Sequence, residues 1–367
     1  MKILFILENY YPNIGGVETL FKSLSGSLIK EGHQVTILTN RFDKSLLENE
    51  TIDGCEVIRV PYYNRYIFTF FAWFKAYKLA KHHDLIHTTS YNAGIPAFIA
   101  GLLSRKKVII TFHEVWGKLW FKLPFMSKIS LALHYLFEWF LLKLPFYKFI
   151  AVSDATKSNL VKAGIKPEKI IRIYNGIDYE EFHSSSSEIR TSTSPYVFTY
   201  FGRLGISKGL DILLKAFHLL QADNVKLKLI LPRTPNSLLQ KTNQLVEEYN
   251  LSSIVNILHE LPKVNLISEI KNSNAVVIPS YSEGFCYTAI ETMALNVPII
   301  TSGQAALSEV TSGKHLMMKD MSPDSLAACL KRAISDEWEF KKYNTYKIED
   351  TVKEYLLLYR EVDLTYK

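Results

Sequence analysis

The chain has 367 residues, 48% hydrophobic and 22% charged, which excludes a disordered polymer and predicts two domains of about 150–200 residues. Its three cysteines, Cys55, Cys286 and Cys329, are odd in number and far apart. That excludes a disulfide framework or a zinc site and fits a reducing cytosol. A net charge of +7 points to an anionic partner without choosing among nucleotide diphosphates, anionic lipids and nucleic acids.

The apolar run Ile3–Leu7 stops at Glu8, too short for a signal peptide, and reads as a first buried strand. Strand-like runs follow at Gln34–Thr39, Glu56–Val60, Leu85–His87, Val108–Thr111 and Phe149–Val152. Helical spacing marks Val17–Ile29, Ala93–Leu103 and Ile129–Leu142. Short apolar strands separated by helices imply right-handed crossovers and a parallel sheet. The serine-rich stretch 184–195 reads as a linker. The rhythm then restarts, with strands at Tyr196–Tyr200, Lys226–Leu231, Val255–Leu258, Ala275–Ile278 and Pro298–Thr301. Helices are expected at Gly209–Leu220, Ser237–Tyr249, Asn265–Lys271, Thr288–Ala294 and Asp324–Ile334, with a final amphipathic helix over Tyr343–Val362. The fold class is therefore α/β, with two Rossmann-like doubly wound domains around a shared crevice, where open sheets of this kind bind ligands. The expected bounds are 1–183 and 196–342, with 343–367 as a terminal helix. No run of about 18 uncharged apolar residues predicts a membrane span.

Four constellations carry candidate chemistry. Gly15-Gly16 lies between the first strand and helix. It serves either as a tight turn or as a close backbone approach to an anion at a helix N-terminus. It does not match the dinucleotide fingerprint. Arg203 and Lys208 flank glycines at the end of the second half's first strand, where a planar fork and a point charge suit a diphosphate. Glu283 and Glu291 stand eight residues apart, one before a helix expected near Cys286 and one on its second turn. Carboxylates accept from sugar hydroxyls, so the pair suits both ends of a nucleotide sugar, while backbone N–H groups at Gly284, Phe285 and Cys286 suit an anion. His113 follows a first-half strand and is either structural or a hydrogen-bonding partner for a sugar or phosphate.

These segments, in this order, resemble the retaining glycosyltransferases of family four, which have the GT-B fold of two Rossmann-like domains facing a central cleft. The matching pieces are GGVE (15–18), TFHE (111–114), AVSDATKSNL (151–160), IYNGID (173–178), GRLGISKGLDILLKAF (202–217) and EGFCYTAIETMALNVPIITS (283–302). The resemblance implies that Glu283 meets the transferred sugar's hydroxyls, Glu291 the ribose, and Arg203 with Lys208 the diphosphate. It gives Gly284–Cys286 further contacts to sugar or phosphate, His113 a contact to the donor sugar and Gly16 a place beside the diphosphate. It also implies an acceptor-binding first domain, a final helix that crosses back to it, retention of anomeric configuration and no metal. No cofactor is implied beyond the nucleotide diphosphate sugar as co-substrate.

Two positions depart from the family pattern. Leu231-Pro232-Arg233-Thr234-Pro235-Asn236 lacks the usual glycine-rich turn, and Cys286 and Thr288 stand where glycine and proline are frequent. Residues 62–83 interleave aromatics with Arg65, Lys75, Lys78 and Lys81 and contain no acid. Residues 115–149 hold Trp116, Trp120, Phe121, Phe125, Trp139 and Phe140 with five lysines against Glu138 alone. Such a mixture suits either an anionic membrane surface or helices covering the sheet. The expected partners are a nucleotide sugar, a lipid-linked or glycan acceptor and an anionic membrane surface, not nucleic acid. The expected location is the cytoplasmic face of a membrane. The alternatives are a soluble enzyme making a sucrose- or glycogen-like product, and a non-catalytic nucleotide-sugar-binding protein.

Overall fold

The structure, a computed structural model, describes residues 1–13, 15–183 and 194–364, so most of the expected linker lies outside the described residues. The chain divides into two compact units. One comprises Met1–Phe121, Lys128–Gly176 and Tyr346–Lys367; the other comprises Lys122–Ser127 and Ile177–Thr345.

The first unit begins with β1 (Lys2–Ile6), α1 (Gly16–Lys30), β2 (Gln34–Asn40), β3 (Asn49–Ile52) and β4 (Cys55–Val60). Two short helices, α2 (Arg65–Phe71) and α3 (Trp73–Ala80), lead to β5 (Leu85–Thr89) and α4 (Gly94–Ser104). The unit continues through β6 (Val108–Phe112), α5 (Lys128–Lys143), β7 (Lys148–Ala151), α6 (Asp154–Lys162) and β8 (Ile170–Arg172). Its sheet runs β3-β4-β2-β1-β5-β6-β7-β8, parallel except for the β3–β4 hairpin. Strands β5 and β6 are buried at every residue, as expected of parallel strands covered on both faces. Alternation along β1 feeds two cores. Ile3 and Phe5 join Phe21, Leu24 and Leu28 of α1, whereas Leu4 and Ile6 join Phe68, Ala76, Ala97 and Leu141.

The second unit contains α7 (Glu180–His183), β9 (Tyr196–Phe201), α8 (Leu210–Leu220), β10 (Val225–Leu231), α9 (Asn236–Glu248), β11 (Val255–His259) and α10 (Lys263–Lys271). It ends with β12 (Ala275–Ile278), α11 (Tyr287–Ala294), β13 (Ile299–Thr301), α12 (Ala306–Val310), β14 (Gly313–Met317), α13 (Pro323–Ile334) and β15 (Glu339–Lys341). The sheet order is β11-β10-β9-β12-β13-β14-β15, with only the edge strand β15 antiparallel.

The last helix, α14 (Ile348–Leu364), returns to the first unit. Tyr355 and Tyr359 are fully buried there, and both reach the sheet: His87 bonds the Tyr359 hydroxyl, and Thr111 Oγ1 lies 3.2 Å from the Tyr355 hydroxyl. The helix starts five residues later than its apolar spacing predicts. Tyr343 instead packs on Gly313, where an added Cβ would stand 2.4 Å from its ring, and Asn344 N–H donates to Ser312 Oγ. Elsewhere every expected strand and helix is present to within two residues. The strands not foreseen, β3, β8, β14 and β15, are short and lie at or next to sheet edges.

Each sheet has one reversal of strand order, between β1 and β5 in the first unit and between β9 and β12 in the second. Crossover loops leave such a point in opposite directions, which opens a crevice at the strand C-termini.

Candidate active site

In the second unit the loops after β9 and β12 flank the reversal and are locked together. Gly209 has φ of +70°, and a Cβ there would stand 2.0 Å from the Pro279 carbonyl oxygen, so only glycine fits. Tyr281 N–H donates to the Ser207 carbonyl at 2.8 Å, and the Tyr281 hydroxyl donates to Asp211 Oδ2 at 2.7 Å. The loop after β13 closes the third side, with Ser302 Oγ donating to the Ser280 carbonyl and Ala306 N–H to the Glu283 carbonyl.

This clamp brings together two of the residues singled out in the sequence. Lys208 Nζ lies 2.8 and 3.0 Å from the two oxygens of Glu283, and Ser280 Oγ donates to Glu283 Oε1 at 2.7 Å. Glu283 is 8% exposed and the Lys208 side chain 20%, so the pair is largely shielded yet open on one side. Removing one partner from such a pair strands a charge, at a cost on the order of 3 kcal/mol. Arg203 is exposed on the same loop and makes no ion pair among the described residues.

Gly284, Phe285 and Cys286 are buried and lead into α11. Cys286 has φ of +73°, in the region that favours glycine, which accounts for the frequency of glycine there in the resembled family. Burial, and then the nearby Glu283, push its thiol well above the ordinary range, so it stays neutral. Glu291, one turn into α11, is only partly exposed. Burial raises its carboxyl to about 7, partly offset by Lys263 and reinforced by Glu181, which form an ion pair with each other.

In the first unit, Gly16 opens α1. The preceding Gly15 is extended at φ of −161°, and no side chain caps the helix. His113 follows β6 directly and is partly buried. Sequence reasoning missed the polar cluster at this unit's own reversal. Glu8, just beyond β1, accepts from Asn92 Nδ2 at 2.7 Å and from Arg65 at 3.1 and 3.2 Å, while Thr69 Oγ1 donates to Asn92 Oδ1. One signal could have found it: Glu8 is the first charged residue past β1, and Asn92 follows closely after β5.

The aromatic, basic segments are sorted by the fold. Phe68 and Trp120 are buried, the latter because its ring packs on Trp116 and His134. Tyr66, Ile67, Phe70, Phe71 and Phe74 on α2–α3 and Ile129, Leu133, Leu136, Trp139 and Phe140 on α5 are exposed. Both sets share the side of the sheet covered by α4, and exposed Lys75, Lys78, Lys128 and Lys143 accompany them. No helix among the described residues is long and apolar enough to cross a membrane.

Residues 14–181 match the family model Glycosyltransferase Family 4, and residues 182–350 match Glycosyl transferases group 1. The chain is similar to an uncharacterized glycosyltransferase of Methanocaldococcus jannaschii, 27% identical over 94% of this chain and 91% of that one. It is also similar to a phosphatidylinositol N-acetylglucosaminyltransferase subunit of Arabidopsis thaliana, 21% identical over 98% of this chain and 81% of the relative. Among solved structures, sucrose-phosphate synthase from Thermosynechococcus elongatus superposes with a TM-score of 0.79 at 19% identity, covering 100% of both chains. Anabaena HepE in complex with UDP-glucose gives 0.71 at 18% identity, covering 100% of this chain and 99% of that one. The architecture is therefore GT-B, built of two Rossmann-like domains. The family matches run without a break from residue 14 to residue 350, and the chain belongs to glycosyltransferase family 4.

Proposed function

We propose that the protein transfers a hexose-type sugar from a nucleotide diphosphate sugar to a lipid-linked or membrane-proximal acceptor, with retention of configuration and without a metal. The observation that carries this reading is the Lys208–Glu283 pair at the second unit's strand reversal. Lys208 holds the Glu283 carboxylate in place before any ligand enters, so Glu283 is oriented to accept from the sugar's hydroxyls. Lys208, held in turn, presents its positive charge to the diphosphate, and Arg203 adds a planar fork. As the glycosidic bond breaks, negative charge grows on the leaving diphosphate, and fixed cations stabilise that charge more than the ground state. Glu291 takes the ribose, Gly16 borders the diphosphate and His113 bonds the transferred sugar. The UDP-glucose complex of the structural neighbour HepE supports a nucleotide-sugar donor.

The lipid side of the proposal rests on the exposed apolar helices and on the phosphatidylinositol named for one relative. An acid-free, lysine-bearing apolar surface suits anionic headgroups on the cytoplasmic face of a membrane. A soluble enzyme making a sucrose-like product would not need it. A thermal-shift screen of UDP-, GDP- and ADP-sugars tests the donor, and silence toward all three overturns the donor reading. Vesicle flotation tests the surface. Binding should favour anionic over neutral lipid and weaken with salt, whose screening length is about 8 Å at physiological strength. Leu133→Glu with Phe140→Glu should abolish flotation and leave donor binding intact; equal flotation on both lipids would remove the lipid surface from the proposal.

A further inference from the structure

Helix α5 carries a single acid, Glu138, placed between Phe137 and Trp139 and only 1% exposed. It has no salt bridge among the described residues; four donors converge on it instead. Oε1 accepts from Gly117 N–H at 2.6 Å, and Oε2 accepts from Trp116 N–H at 3.0 Å, the Tyr91 hydroxyl at 2.9 Å and Trp120 Nε1 at 3.3 Å. With both oxygens occupied by donors, the carboxylate is satisfied without a counter-ion.

What Glu138 holds is the stretch that leaves β6 at His113. The two bonded backbone amides lie three and four residues beyond His113, and Asn159 Nδ2 adds a second strap to the Val115 carbonyl at 3.2 Å. Tyr91, held at φ of +70°, follows β5, so one carboxylate ties the loops after two neighbouring strands to the same helix. Burying an acid contributes little to stability compared with a well-packed apolar side chain. Two bonds to consecutive backbone amides do something a leucine could not, since they fix the path of the loop itself.

We propose that Glu138 is a positioning residue whose carboxylate sets the path of 114–120 and thereby the orientation of the His113 imidazole toward the sugar. The proposal rests on the transfer reading for the role of His113.

Glu138→Gln in the full chain tests it, because one acceptor oxygen becomes an NH2 group aimed at donors. Amide exchange at Trp116 and Gly117 should accelerate roughly tenfold or more. Turnover should fall by about tenfold while donor KM changes by less than about threefold, since the lost contact concerns orientation in the transition state. In a double-mutant cycle, His113→Ala with Glu138→Gln should be little worse than His113→Ala alone. Tyr91→Phe, which removes one donor and leaves the carboxylate, should give a smaller loss of the same kind and guards against a folding defect. Faster exchange with unchanged turnover overturns the proposal, as does full additivity with His113→Ala. If His113→Ala alone costs no turnover, the role given to His113 in the transfer reading fails, and exchange in Glu138→Gln shows separately whether the carboxylate held the loop.

Discussion

The two strand reversals are built from similar parts to different standards of rigidity. In the second unit the acid, Glu283, is buried, bonded by both Lys208 and Ser280, and seated on a backbone contact that only Gly209 allows. In the first unit the acid, Glu8, keeps 21% of its side chain exposed, and its partner Arg65 keeps 56%. An exposed pair contributes about 0–1 kcal/mol and is easily rearranged, whereas the clamped pair is costly to disturb. A site that meets one invariant ligand gains from fixed geometry, because groups already in place need no reorganisation as charge develops. A looser reversal can adapt to the shape of what enters. The same topological crevice is thus tuned by burial and by backbone contacts more than by residue type.

The largest expected effect breaks the comparison if it fails. Glu283→Ala or Lys208→Ala should each lower turnover by roughly a hundredfold or more and destabilise the second unit on the order of 3 kcal/mol. The double replacement should recover much of the stability and none of the turnover, because no lone charge is left. Glu8→Ala should cost less, about 1–2 kcal/mol, because its Arg65 pair is open to solvent and only Asn92 Nδ2 loses a shielded acceptor. Thermal unfolding read beside donor turnover checks all four proteins; an equal stability loss in Glu8→Ala would show the reversals to be alike. Gly209→Ala follows in size. A Cβ 2.0 Å from the Pro279 oxygen forces the loops apart, and φ of +70° adds about 1–2 kcal/mol of strain. Its melting temperature should fall clearly below that of the parent, and turnover should fall with it.

Sequence periodicity foretold the buried strands, because parallel strands covered on both faces are apolar throughout, and it foretold the acids and cations at their ends. It could not foretell that Lys208 and Glu283 are partners, since they lie on different crossovers and meet only where strand order reverses. Nor could it phase α5. That helix is apolar all round, and its one acid points inward while Ile129, Leu133 and Phe140 point out, the inverse of an ordinary amphipathic helix. Trp120 and Trp139 sit in the same lysine-rich stretch, yet one is core and the other surface. Composition cannot separate them; the Trp116 and His134 rings and the Glu138 carboxylate around Trp120 do.

A smaller effect sharpens the picture of the clamped site through pH. The Glu291 carboxyl is raised from 4.5 to about 7, with burial the main cause. A raised value means the folded unit holds the proton more tightly than the unfolded chain. The associated stability is therefore present below about 4.5 and is lost as pH rises through 7. Ribose hydroxyls donate best to the ionised form. Affinity for a nucleotide sugar should thus rise by up to about tenfold between pH 6 and 7.5, with a proton released on binding. Calorimetry in two buffers of different ionisation enthalpy reads that proton directly. Glu291→Gln should abolish the dependence; a pH-independent affinity in the parent would detach Glu291 from the ribose.

The smallest expected effect concerns Cys286, where the backbone is strained and the side chain does no ionic work. At an ordinary helix or strand position, glycine is less stable than alanine by about 0.5–1 kcal/mol, because the unfolded chain gains freedom. At φ of +73° the balance shifts, since a Cβ in the left-handed region costs about 1–2 kcal/mol. Replacing the neutral, buried thiol by alanine removes the sulfur and keeps the strain. Replacing it by glycine removes both. The sulfur's packing is lost in each case and cancels between the two variants, so Cys286→Gly should be more stable than Cys286→Ala by roughly 0.5–1 kcal/mol. Chemical unfolding of the two proteins side by side measures this difference free of the parent's packing. An order of stability with alanine above glycine would mean that the turn into α11 relaxes without cost. The second unit's reversal would then owe its rigidity to the Gly209 contact, the Lys208–Glu283 pair and the hydrogen bonds that join its loops.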